Sequence, residues 1–223
     1  MNGVLMPASN FLHIPTVIHF VWALKPRSVL DVGVGNGAYG LLLRQYLDIG
    51  EQRIKPSEWK LRIDGVDVFE GYRNPVWDFA YNNIYMGDIR HIHQQLSQYD
   101  IVMFNDVLEH LEKDEAVALV LAMVNRSSVV IATTPNRVYP QGAWGGNDAE
   151  THRCLLSDAD FPNLVAKKVT GDTTCYVCCS NKALLEQINH ASLHCPTYIP
   201  SRLTLPRRIK RKVLHLANRW RDS

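Results

Sequence analysis

Along the first 180 residues, short runs rich in Val, Ile and Leu alternate with segments whose apolar positions recur every three to four residues. The runs Ser28–Val32, Leu61–Asp67, Ile84–Met86, Asp100–Phe104 and Val129–Thr133 have the length and β-branched content of buried strands. Between them, Tyr39–Leu47, Pro75–Asn82, His91–Leu96 and Asp114–Val124 carry helical spacing. Strand then helix, repeated, is the order of a parallel sheet covered on both faces. Val165–Thr170 and Thr174–Cys179, joined across Gly171-Asp172, read as an antiparallel pair at the sheet edge. The pattern therefore predicts a doubly wound α/β sheet of seven strands, mostly parallel, with an antiparallel final strand.

Three stretches fall outside this rhythm. Phe11–Leu24 is apolar but interrupted by His13, Pro15 and His19. It is too short to span a bilayer and lacks the basic lead of a signal peptide, so it reads as a helix starting near Pro15. Residues 50–60 are a polar insertion. Residues 134–156 are rich in Pro, Gly and Asn without periodicity, as a lid or a substrate wall would be. The expected division is an N-terminal helical segment (1–27), a single α/β domain (28–180) and a C-terminal tail (181–223).

Charge changes the picture only at that tail. The net charge of +2 conceals eight Lys/Arg and one Asp in residues 202–223, leaving a mildly acidic body. Ile209, Val213, Leu216, Ala217 and Trp220 recur there at helical spacing. The tail reads either as a docked amphipathic helix or as a contact for an anionic membrane surface or nucleic acid. Five cysteines without framework spacing agree with a reducing compartment, and a cytoplasmic location is the expectation. Cys175, Cys178 and Cys179 resemble half a zinc site, but Cys175 and Cys178 point to opposite faces of a strand and read as small core residues.

In open parallel sheets ligands sit at the carboxyl ends of strands. Those ends carry Asp31-Val-Gly33, Asp67, Gly87-Asp88, Asn105-Asp106 and Thr134-Pro135-Asn136, four aspartates on one rim. The glycines after the first strand, Gly33-x-Gly35-x-Gly37, do not have the dinucleotide spacing, and Asp67 lies 34 positions beyond Gly33 where a dinucleotide site has about 20. Asp31 and Asp88 would also repel a pyrophosphate. S-adenosylmethionine has no phosphate; its ammonium, sulfonium, ribose diol and adenine amine call for carboxylates and carbonyls.

VLDVGVGNG, IDGVDVFE, YMGDIRHI, YDIVMFNDVLEHL and VVIATTPN, in this order, resemble the motifs of class I S-adenosylmethionine-dependent methyltransferases. The resemblance implies a Rossmann-like fold and this cofactor. It also implies that Asp31, Gly33, Gly35 and Gly37 face the methionine part and that Asp67, with Val68 beside it, binds the ribose. Asp88 and Ile89 would meet the adenine, and Asn105 lies on the same wall.

Asp106-Val-Leu-Glu109-His110 places three polar groups at i, i+3 and i+4, which share a face on a helical turn. With His152 they resemble the metal sites of two methyltransferase groups, those acting on small-RNA 3′ ends and those acting on ubiquinone precursors. The first position here is Asp rather than Glu. The resemblance implies a divalent ion (Mg, Mn, Fe or Zn) held by Asp106, Glu109, His110 and His152. The alternative is a metal-free site in which His110 or His152 is the catalytic base. The turn lacks the Pro-Pro-aromatic signature of base amino-methyltransferases, so oxygen is the expected acceptor. Trp144 in the long loop is either a substrate platform or a loop anchor, and Tyr139 and Gln141 lie near the same rim. Three functions stand: O-methylation of a small molecule or glycan, RNA 2′-O-methylation with the basic tail on phosphate, and a non-catalytic cofactor-binding or interaction module.

Overall fold

The computed structural model describes residues 10–195. Helix α1 (Ile14–Leu24) leads into β1 (Ser28–Val32), α2 (Ala38–Leu47), β2 (Arg62–Asp67), α3 (Pro75–Ala80), β3 (Asn83–Met86), the short α4 (Ile89–Ile92) and β4 (Ile101–Asn105). Then come α5 (Lys113–Val124), β5 (Val129–Pro135), β6 (Leu164–Thr170), β7 (Thr173–Cys179) and α6 (Leu185–His194). The seven strands form one sheet in the order β3-β2-β1-β4-β5-β7-β6. The first five run parallel, and β7 pairs antiparallel with both β5 and β6. The Rossmann-like doubly wound expectation thus holds, with β7 inserted between β5 and the edge strand β6.

Alternation along each strand divides the core between two faces. Val29, Ile101, Met103, Ile131, Cys175 and Val177 pack with α1, α2, α3 and α6. Leu30, Val32, Val102, Phe104, Val130 and Cys178 pack with α4 and α5 on the other side. All the cysteines are free, and Cys175, Cys178 and Cys179 are buried core residues, as their strand positions require.

Helix α6 is an element the sequence pattern above did not single out. Ile188, Ala191 and Cys195, spaced three and four apart, bury against α1, and His19 Nε2 lies 3.0 Å from the Ala191 carbonyl. The amphipathic basic stretch at 202–223 lies outside the described residues. Among the described residues no helix is long and apolar enough to cross a membrane.

The insertion at 50–60 is ordered by charge. Fully buried Asp48 accepts from the Arg44 and Arg53 guanidiniums and from the Lys60 amide, and Arg44 lies 4.5 Å from the Trp59 ring. Its carboxyl sits below the usual range: burial pushes it up, but this set of donors outweighs burial. The cluster lies away from the sheet's carboxyl rim and carries structure rather than chemistry.

Candidate functional site

A cavity of about 1100 Å³ opens along the carboxyl ends of β1, β2, β4 and β5. That exceeds a typical single-ligand pocket and gives room for a cofactor and an acceptor together. The chain turns sharply out of β1, and Gly33 (φ 79), Gly35 (φ 51) and Gly37 (φ 82) all take left-handed backbone conformations. The three are not equivalent. A Cβ on Gly33 would meet Val107 Cγ2 at 2.5 Å, and one on Gly37 would meet Val76 at 2.9 Å. A Cβ on Gly35 would meet nothing within 4 Å. Gly33 and Gly35 line the cavity; Gly37 starts α2 behind it.

Asp67 ends β2 and ties the loop down. Its carboxylate accepts from the Gly35 amide at 2.8 Å and from the Phe69 amide at 2.9 Å. Burial nonetheless raises its pKa. Val68, Ile89, Asn105 and Asp88 line the same side. Asp88 caps α4 by accepting from the Arg90 amide, and the Arg90 guanidinium grips both of its oxygens, at 3.0 and 2.5 Å. That pair holds the Asp88 carboxyl below the usual carboxylate range. The repulsion of pyrophosphate expected of a bare Asp88 is therefore neutralised.

Asp31 is placed differently from the expectation. It does not line the cavity but sits beneath the loop, 1% exposed, accepting a 2.6 Å bond from the Tyr81 hydroxyl. Tyr81 in turn accepts from the Gly40 amide of α2. Burial pushes the Asp31 carboxyl up to about 7, against the opposing pull of the Tyr81 hydroxyl. Asn105 lines the cavity beside Asp31, and its contact with that carboxyl pulls in the same direction as Tyr81.

Beyond β4 the chain forms a tight single turn, Leu108–His110, rather than an α-helical one. Asp106 precedes that turn with φ 55, so it does not share the face on which Glu109 and His110 lie. Its carboxylate is taken by the Asn10 amide (3.2 Å), the Thr133 hydroxyl (3.2 Å) and His13 Nε2 (3.4 Å). Glu109, His110 and His152 come together without it, with one candidate ligand atom from each within 4.8 Å of the others. The four-ligand expectation is corrected to three, because the i, i+3, i+4 argument assumed a helical turn. His13, 1% exposed, supports Asp106 from behind, and burial lowers its pKa.

His152 arrives from the long loop between β5 and β6. Its backbone amide donates to the Gln141 carbonyl, and the next two amides donate to the Glu109 carbonyl. Its Nδ1 lies 2.7 Å from the Tyr139 carbonyl. A carbonyl only accepts, so Nδ1 carries a proton, and in the neutral ring the lone pair is on Nε2. The His110 and His152 rings stand 4.9 Å apart. Burial, then the neighbouring His152, pushes His110 down to about 4. Glu109 is 2% exposed, and burial, then the Asp106 charge, raises its pKa well above the carboxylate range. Glu109 Oε2 and His110 Nδ1 have no hydrogen-bond partner among the described residues.

The sequence argument passed over three residues that shape this wall. Tyr72, after β2, donates its hydroxyl to Glu150 (3.0 Å) and accepts from Asn147 (3.2 Å), tying the long loop to the β2–α3 connection. Asn147 is buried and closes a two-glycine turn on Trp144 through paired backbone bonds of 2.8 and 3.1 Å. The turn signal WGGN was there to find; the Tyr72 contact, 75 residues away, was not.

No family model matches the chain, and no curated protein matches it in sequence. Among solved structures it is similar to an O-methyltransferase family protein from Burkholderia thailandensis, at a TM-score of 0.53 and 12% identity over 75% of this chain. The chain spans 56% of that protein's length. It is also similar to a magnesium protoporphyrin IX methyltransferase from Synechocystis PCC 6803 with bound SAH, at a TM-score of 0.51 and 16% identity. That match covers 77% of this chain and 88% of the other. At these identities the likeness establishes architecture, and the architecture agrees with the motif order: the chain has the Rossmann-like fold of the class I S-adenosylmethionine-dependent methyltransferases.

Proposed function

We propose that this chain is an S-adenosylmethionine-dependent methyltransferase that methylates a hydroxyl oxygen of a small molecule or saccharide, with Glu109, His110 and His152 holding a divalent ion. The observation that carries this is the convergence of those three donors beside a cavity walled by the glycine loop and Asp67. The cofactor's ribose fits Asp67, its adenine fits Val68, Asp88 and Ile89, and its amino-acid part fits the glycine loop and Asn105 on the cavity wall. In the transfer, the sulfonium S–C bond breaks and leaves its electron pair on sulfur. An O–C bond forms from a lone pair of the acceptor oxygen, and the hydroxyl proton passes to solvent or, where no ion is held, to His152 Nε2.

The donor set passes a test of fit. Two buried atoms without partners, Glu109 Oε2 and His110 Nδ1, are what a cation would satisfy, and His152 Nε2 presents a lone pair. Two imidazoles with one carboxylate suit zinc or iron better than magnesium. When bound, such an ion would polarise the acceptor oxygen and lower its pKa. The fixed tautomer of His152 also favours a second reading, in which Nε2 itself takes the hydroxyl proton.

Calorimetric titration of S-adenosylhomocysteine into chelator-stripped protein, beside NAD, tests the first half. Binding of the former alone is the expected result, and binding of NAD alone would overturn it. Titration of zinc or iron(II) into the same protein and into Glu109→Ala tests the second. Uptake lost in the variant supports the ion, and no uptake by the native chain leaves His152 as base. Tight cofactor binding with no methyl transfer to any extract fraction would favour a non-catalytic module. Transfer to RNA, with steep salt dependence, would move the acceptor to nucleic acid.

A further inference from the structure

The acceptor side of the cavity has a charge and a shape that narrow what it takes. Among the described residues, eight carboxylates line the cavity against three arginines, and no lysine does. Each arginine is already paired: Arg90 with Asp88 and Glu115, Arg137 with Asp172 at 2.6 Å, and Arg153 with Glu112 and Asp148. Burial raises the pKa of Glu109 and Glu150. Counting both as neutral still leaves six carboxylates against three arginines. Among the described lining residues no arginine is unpaired to receive a phosphate. With Glu109 ionised to hold a divalent ion, seven carboxylates still outnumber three arginines and the ion's two charges, so the wall stays acidic and opposes a phosphate.

The rim supplies aromatic faces instead. Phe11, Tyr139 and Trp144 line the mouth, 72%, 57% and 43% exposed. Trp144 is not there to anchor its loop. Asn147 does that, buried and bonded to Tyr72, while Gly145 and Gly146, both at positive φ, turn the chain so that the indole stays at the mouth. Exposed aromatic faces beside a surplus of hydrogen-bond acceptors suit a ring with apolar faces and many hydroxyl or amine donors.

Resting on the methyl-transfer reading, we propose that the acceptor is a non-anionic polyhydroxylated ring, a neutral or amine-bearing saccharide in chemical class. It stacks at Trp144 and Tyr139, and phosphate-bearing acceptors are turned away by the carboxylate wall. Trp144 sets affinity, and the Arg137–Asp172 pair sets charge selectivity by keeping a guanidinium on the rim engaged.

Saturation-transfer NMR on the full chain, saturated with S-adenosylhomocysteine, tests this. The probes are methyl glucoside, methyl 2-amino-2-deoxyglucoside, glucose 6-phosphate and a short single-stranded RNA. Both unphosphorylated glycosides should bind, and glucose 6-phosphate should bind at least about tenfold more weakly, as like charges demand. Trp144→Ala should weaken glycoside binding by about fivefold or more, with affinity for S-adenosylhomocysteine unchanged. Asp172→Asn, which releases Arg137, should strengthen glucose 6-phosphate binding severalfold and leave the neutral glycoside unaffected. Equal or tighter binding of the phosphate or the RNA would overturn the proposal, as would absence of glycoside binding in protein that binds S-adenosylhomocysteine. Failure of S-adenosylhomocysteine itself to bind would instead overturn the methyl-transfer reading and take this one with it.

Discussion

The cofactor half of the cavity hangs on strand ends; the acceptor half hangs on the long loop between β5 and β6. In the first, the polar groups are held by neighbours in sequence or on the adjoining strand: Asp67 by Gly35 and Phe69, Asp88 by Arg90. In the second, three of the holding contacts bridge 75 to 96 residues: Asn147 to Tyr72, Glu150 to Tyr72, and Asp106 to Asn10. A turn between paired strands has few conformations open to it, and glycine at positive φ selects among them. A long loop finds its place only through side chains that meet after the sheet has formed. The cofactor half is thus a local structure, and the acceptor half is a tertiary one.

The sharpest way to separate the halves is His152→Ala. Its turnover should fall by about 10²–10⁴-fold, the usual worth of a positioned proton acceptor or an activating group. Affinity for S-adenosylhomocysteine, measured by calorimetry, should stay within about twofold. A parallel loss of cofactor affinity would break the division.

Asp31→Asn probes the cofactor half from beneath. The native carboxyl sits at about 7, far above an ordinary aspartate. Its contribution to stability is complete below pH 4 and is lost as pH rises through 7. Wild type should therefore lose up to about 4 kcal/mol across that window relative to the asparagine variant. Urea unfolding of both proteins at pH 4 and pH 7.5 reads this difference, and parallel pH profiles would refute it.

Gly33→Ala adds a methyl where Val107 already stands, at a backbone angle that alanine resists. Strain and overpacking together should cost about 2–4 kcal/mol, read as a lowered midpoint in urea and weakened cofactor binding. Gly35→Ala, with open space around the new methyl, should cost less stability than Gly33→Ala while still weakening cofactor binding. Smallest of all, Tyr72→Phe removes one hydroxyl from the loop's tether and should cost about 1 kcal/mol. If that loss raises KM for the acceptor and leaves cofactor affinity alone, the tether belongs to the acceptor half. The reverse result would place it with Asp67.

The strands along the chain, the glycine loop and the acid at the end of β2 were legible because each rests on a short pattern: β-branched apolar runs, alternate glycines, and a carboxylate where a parallel strand stops. The order of the strands in the sheet, with β7 between β5 and β6, was not. The same reasoning misplaced Asp31, which has the right residue type at the right position but lies below the loop. It also put Asp106 in a helical turn that the chain does not make. Helix α6 carried a readable three-four spacing from Ile188 to Cys195, obscured by the polar residues between them.

What the sequence by itself determined is the α/β sheet and the glycines and carboxylates at its strand ends. Apolar periodicity and backbone permissiveness act over a few residues and leave little choice. Only the tertiary structure decided that Glu109, His110 and His152 meet while Asp106 turns toward His13, and that Trp144 stands at the mouth. Those facts depend on which distant side chains close the hydrogen bonds of a buried polar group. That partner is chosen by packing in three dimensions, where neighbours along the chain have no say.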